Sequence, residues 1–168
     1  LYMNRKNLPT EEEQYSLIKK SLKALNKKTL TIRTLDIGND KHIDSFDKLI
    51  APSPNPALGL RAIRLTLAFP KIFEKQISAI LRASFYGPIR IMLPMVSNVN
   101  ELQEAKRIIL KVRSRLIENN VKISEKLPEI GVLIETPAAA LISDSLAQYC
   151  DFFAIGTNDL AMYTLAID

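Results

Sequence analysis

Hydrophobic positions along the chain switch repeatedly between a helical period and short continuous runs, and that switching predicts a fold. After Pro9 and Thr10, apolar residues recur at Tyr15, Ile18, Leu22 and Leu25 with lysines between them. Thr10 as cap, Glu13 three residues on and the acids at 11 to 13 start this helix, which should end near Asn26. Residues 29 to 35 form a β-rich run. Asn55 as cap and Pro56 in the first turn predict a helix with Leu60, Ile63 and Leu67 on its apolar side. Pro70 starts another, striped by Phe73, Ile77, Ile80 and Leu81. A strand from Ile89 to Met95 is broken near its end by Pro94, and residues 98 to 120 form the longest helix, capped by Asn98. The strand from Ile130 to Ile134 leads through Glu135, a capping Thr136 and Pro137 into a helix over 138 to 148. Phe152 to Ile155 is the last strand; it runs into Gly156, then three small or polar residues, then a helical pattern from Leu160 to Leu165.

Strands alternating with helices through short turns argue for an α/β fold with a parallel sheet and helices outside it. A doubly wound sheet and a (β/α) barrel both fit. Only four strands are legible, whereas a closed barrel has eight over roughly 250 residues, so the expectation is a partial (β/α)8 TIM barrel. Residues 1–168 would then be the N-terminal portion of that domain, lacking its later strands.

Composition narrows the class. Hydrophobic content of 47% with 24% charged residues is globular, not disordered. The net charge of +5 comes from 23 basic and 18 acidic residues mixed along helical faces, which gives nucleic-acid binding little support. With one cysteine no internal disulfide can form; no leader pattern and no membrane-length apolar run are present, so a cytoplasmic protein is expected. Cys150, just before the last strand, reads as a small buried hydrophobe, and His42, among Asp40, Lys41 and Asp44, as a surface residue.

The candidate chemistry lies at strand ends. If the last two strands are neighbours, Glu135 and Asp159 open on one face, and two carboxylates there suit a divalent cation bridging protein to phosphate. The alternative is a helix cap or a solvated rim charge. Arg33, inside a short strand, needs a partner or a polar cavity; it points either into a barrel mouth or, from an edge strand, into solvent. Arg61 and Arg64, early in their predicted helix, are either solvated or in reach of a phosphate.

Residues 32 to 38 (IRTLDIG), 55 to 64 (NPALGLRAIR), 134 to 140 (IETPAAA) and 156 to 160 (GTNDL) occur in this order in the phosphoenolpyruvate-utilising enzymes, which the chain resembles nearly end to end. The opening LYMNR, residues 8 to 14 (LPTEEEQ) and 79 to 84 (AILRAS) point more narrowly to the enzyme I branch, serving bacterial sugar phosphotransferase systems, than to the dikinase branch. The resemblance implies a barrel that binds phosphoenolpyruvate with Mg²⁺ and forms a homodimer. It implies Glu135 and Asp159 as Mg²⁺ ligands, Arg5, Arg33 and Arg61 around the phosphate and carboxylate, and Thr157 and Asn158 steadying the phosphoryl group. In that family the phosphate passes to a histidine on a separate domain and on to a small phosphocarrier protein. His42 does not sit in that histidine's glycine-rich motif, Cys150 is not the family's acid, and Asn39 replaces a usual glycine. No catalytic residue is therefore expected within these 168 positions, and the segment should be inactive alone. A non-catalytic association module built on the same barrel is the competing expectation.

Overall fold

A computed structural model describes residues 7–37, 55 and 57–167. The sites expected at Arg5, His42 and Asn39 lie outside them. In chain order the described elements are α1 (Glu11–Ala24), β1 (Leu30–Arg33), α2 (Ala62–Ala68), α3 (Pro70–Ala83), a 3-10 turn (Ser84–Tyr86) and β2 (Ile89–Leu93). There follow α4 (Val99–Glu118), β3 (Glu129–Ile134), α5 (Pro137–Leu141), α6 (Ser143–Ala147), β4 (Phe152–Ile155) and α7 (Thr157–Leu165).

The strands form one open, wholly parallel sheet in the order β1-β2-β3-β4. A doubly wound sheet reverses its strand order at a switch point; this one does not, and the sequential winding is that of a partial barrel. Register sorts the side chains. Ile89, Ile91 and Leu93 align with Ile130 and Val132 on the face that packs under the helices, against Phe73, Ile77, Leu102 and Ile109, all fully or almost fully buried. The other face carries Arg33, Met92, Gly131 and Phe152 in one row. The Phe152 ring packs over Gly131, where a Cβ would stand 2.5 Å from it, so a side chain there would require the ring to shift.

The helix starts predicted by caps are found at α1, α4 and α5, and the one predicted from Pro70 at α3. At α1 the Thr10 hydroxyl accepts from the Glu13 N–H at 3.2 Å, and the Glu13 carboxylate accepts from the Thr10 N–H at 2.7 Å, a complete capping box. Three boundaries differ from expectation. The Asn55 side chain accepts from Ala57 N–H at 3.1 Å and so makes a turn; the helix begins only at Ala62, after Gly59 at φ 81°. Residues 138 to 148 do not form one helix: Ile142, at φ −109° and ψ 22°, separates α5 from α6, and the Asp144 carboxylate takes up the Ser145 N–H locally. Finally, α7 starts at Thr157, so Thr157, Asn158 and Asp159 are its first turn.

Candidate functional site

The C-terminal ends of the four strands open on one rim, and the polar residues gather there. Glu135 directly follows β3 and continues its alternation onto the open face of the sheet. It is only 1% exposed, and its Oε1 accepts from the Met95 N–H at 2.6 Å. Met95 follows β2 at φ 57°, a left-handed conformation that turns its N–H toward the carboxylate. Thr136 fastens the same loop by donating to the Val96 carbonyl at 3.0 Å, while its oxygen caps α5 through the Ala139 N–H at 3.1 Å. Gly156 lies against the other side of Glu135: a Cβ there would stand 2.7 Å from Glu135 Cβ and 2.8 Å from Oε2. Absence of a side chain at 156 is thus what admits the carboxylate. Burial pushes the Glu135 carboxyl up from 4.5 to about 7; the Met95 N–H opposes this, and the charges of Asp36 and Asp159 add to it.

Opposite Glu135 stands a chain of charges. Asp36, 7% exposed in its side chain, forms an ion pair with Arg33 at 3.2 Å through Oδ2 and accepts from Arg61 at 3.0 Å through Oδ1. Arg61 also lies 3.8 Å from Asp159, and its Nη1 donates to the Tyr163 hydroxyl at 3.1 Å. The Tyr163 hydroxyl in turn donates to the Ala57 carbonyl. Burial works against the Arg61 charge, but Asp36 more than offsets it and the guanidinium's pKa is raised. Burial also raises the Tyr163 phenol, which stays protonated and able to donate.

The expected site residues are therefore largely brought together. Glu135, Asp159, Arg33 and Arg61 converge; Thr157 and Asn158 are exposed in the first turn of α7, where backbone N–H groups have no partner within the helix. Arg33 combines its two predicted settings: β1 is an edge strand among the described residues and the side chain is 46% exposed, yet it reaches Asp36 at the mouth. Arg64 turns away from Arg61, donating to the Gly59 carbonyl at 3.2 Å and to Ser97 Oγ at 2.9 Å. Sequence reasoning missed Asp36 and Tyr163. An acid three residues beyond Arg33 was a legible signal for the first; nothing in the sequence marks the second, which is 102 residues from its partner Arg61.

Among the described residues no group of three or more His, Cys, Asp or Glu side chains is arranged to hold a metal. The donor set of two carboxylates nevertheless fits a hard divalent cation that takes its remaining ligands from water and phosphate. The charges of Asp36 and Asp159 add to the burial that raises the Glu135 pKa, and a cation at this mouth would offset them. No described helix is long and apolar enough to cross a membrane.

With a parallel sheet wound in barrel order and a carboxylate-arginine mouth, the class becomes definite: residues 1–168 match the family described as PEP-utilising enzyme, PEP-binding domain, and the chain belongs to it. It is 46% identical over 168 residues to the phosphoenolpyruvate-protein phosphotransferase of Staphylococcus epidermidis and 45% identical to that of Bacillus subtilis. Each comparison covers all of this chain and 29% of the relative, so the chain spans under a third of the curated relatives it matches. These names support the enzyme I branch over the dikinase and association-module alternatives.

Proposed function

We propose that this chain is the first portion of the phosphoenolpyruvate-binding barrel of a phosphoenolpyruvate-protein phosphotransferase. The observation that carries the reading is the meeting of Glu135, Asp159, Arg33 and Arg61 on one rim, around Asp36 and Gly156. Arginines at such a rim bind the phosphate and carboxylate of phosphoenolpyruvate and offset charge on a phosphoryl group leaving in line. Glu135 and Asp159 would hold Mg²⁺, which when bound neutralises charge on the phosphoryl oxygens. The first-turn N–H groups of α7, at Thr157 and Asn158, suit an anion in the same place. The acceptor is a histidine on another domain, from which the phosphate passes to a small carrier protein for sugar uptake in the cytoplasm; the working protein is a homodimer. Phe153 and Ile155 on β4, 39% and 68% exposed, support a further strand and helix joining there.

The test is calorimetric titration of phosphoenolpyruvate, with and without Mg²⁺, into full-length protein carrying this chain. Binding is expected to depend on Mg²⁺ and to lose that dependence in Glu135→Gln and Asp159→Asn. A wild type that binds phosphoenolpyruvate equally well in chelator, or not at all, would sink the reading.

A further inference from the structure

Arg61 occupies an unusual place. It is the residue before α2, in extended conformation at φ −139° and ψ 166°, and the chain enters the helix through Ala62 at φ 47°, a left-handed conformation for a fully buried non-glycine residue. Such a turn is held by its surroundings, not by local preference. Asp36 takes Nη2, but Nη1 and the approaching backbone are both held from α7, by one hydroxyl.

We infer that Tyr163 is a positioning residue for the phosphoenolpyruvate-binding Arg61, an inference that rests on the function proposed above. Its hydroxyl accepts from Arg61 Nη1 at 3.1 Å and donates to the Ala57 carbonyl, so the guanidinium and the segment that delivers it are locked to the same helix that carries Asp159. The Arg61 Nε is buried without a partner, so among the described residues its orientation rests on the hydrogen bonds to Asp36 and Tyr163, with Asp159 farther off at 3.8 Å. A neutral hydroxyl suits this task. Asp36 and Asp159 already face Arg61, and a third carboxylate would cancel the positive charge that a phosphate must find. Because β1 and α7 approach at opposite ends of the sheet order, the hydroxyl also spans the mouth and ties its two sides together.

Two measurements on the full-length protein test this. In Mg²⁺, phosphoenolpyruvate is expected to bind Tyr163→Phe about tenfold more weakly than wild type, the scale of one hydrogen bond to a charged group. In an Arg61→Gln background the same change is expected to alter affinity by less than about twofold, because residues acting as one unit are not additive. Equal losses in both backgrounds, or no loss in wild type, would overturn the inference. The second measurement needs no ligand: the Arg61 Nε–H resonance, protected in wild type by burial, is expected to exchange rapidly in Tyr163→Phe while the melting temperature stays close to wild type. An unchanged resonance would overturn the positioning role even if phosphoenolpyruvate did not bind, whereas a lost resonance with no wild-type binding would leave Tyr163 fixing Arg61 and defeat only the functional reading.

Discussion

Glu135 is the residue on which the mouth turns, and its protonation gives the clearest prediction. Its carboxyl titrates near 7 in the folded chain against an ordinary 4.5, mainly through burial. Between those values the folded state holds more protons than the unfolded one, so this group's contribution to stability falls as pH rises from about 4.5 to about 7 and is constant above. At about 1.4 kcal/mol per pKa unit, the penalty at pH 8 is on the order of 3 kcal/mol. Glu135→Gln keeps an oxygen for the Met95 N–H and cannot ionise. In chelator it is expected to raise the melting temperature at pH 8, with the gain shrinking toward pH 5; melts across that range check it, and a gain independent of pH would contradict the assignment. Asp36 makes a companion point. Two arginines share its carboxylate, so its loss would leave two charges competing for Glu135 and Asp159.

At the scale of elements, local chemistry and close packing divide the work. The α1 capping box is local, and Thr10→Ala is expected to cost about 1 kcal/mol in denaturant unfolding without altering ligand affinity. Gly156 is the opposite case. Its φ of −89° suits any residue, yet the space its missing Cβ would need belongs to Glu135. Gly156→Ala is therefore expected to displace the carboxylate and abolish Mg²⁺-dependent binding while leaving the far-ultraviolet spectrum unchanged; retained binding would show that Glu135 has another way to sit. The same reasoning explains the boundaries that sequence patterns misplaced. Asn55 and Pro56 are good helix starters, but the Asn55 side chain closes a turn, and the chain must travel on to Arg61 before it can enter α2 beneath Ile37, whose carbonyl receives the Ala62 N–H at 3.4 Å.

Across the whole molecule, order should decay from the middle of the sheet outward. β2 and β3 are paired on both sides and their helix-facing residues are nearly inaccessible, whereas β4 is an edge strand among the described residues and α7 buries none of its own. Hydrogen exchange is expected to be slowest in β2 and β3 and fastest among the helices in α7, with α7 slowed when phosphoenolpyruvate and Mg²⁺ bind at its first turn. Protection in α7 equal to that of β3 before any ligand is added would contradict this gradient.

Much of this architecture was written in short-range patterns. The helical stripes of α1, α3 and α4, the apolar runs of β2, β3 and β4, and the carboxylate placed one residue past β3 follow from periods and caps spanning a few residues, because those depend on neighbours along the chain. The sequence alone therefore determined the alternating order, the parallel sheet and Glu135 as a strand-end acid. Tertiary structure decided the rest: that strands wind in order without reversal, that Asp36 joins Arg33 to Arg61, that Gly156 makes room for Glu135, and that Tyr163 reaches Ala57 and Arg61 across more than 100 positions. Those relations exist only once the strands lie side by side, since no local propensity encodes a contact between residues that the unfolded chain keeps far apart.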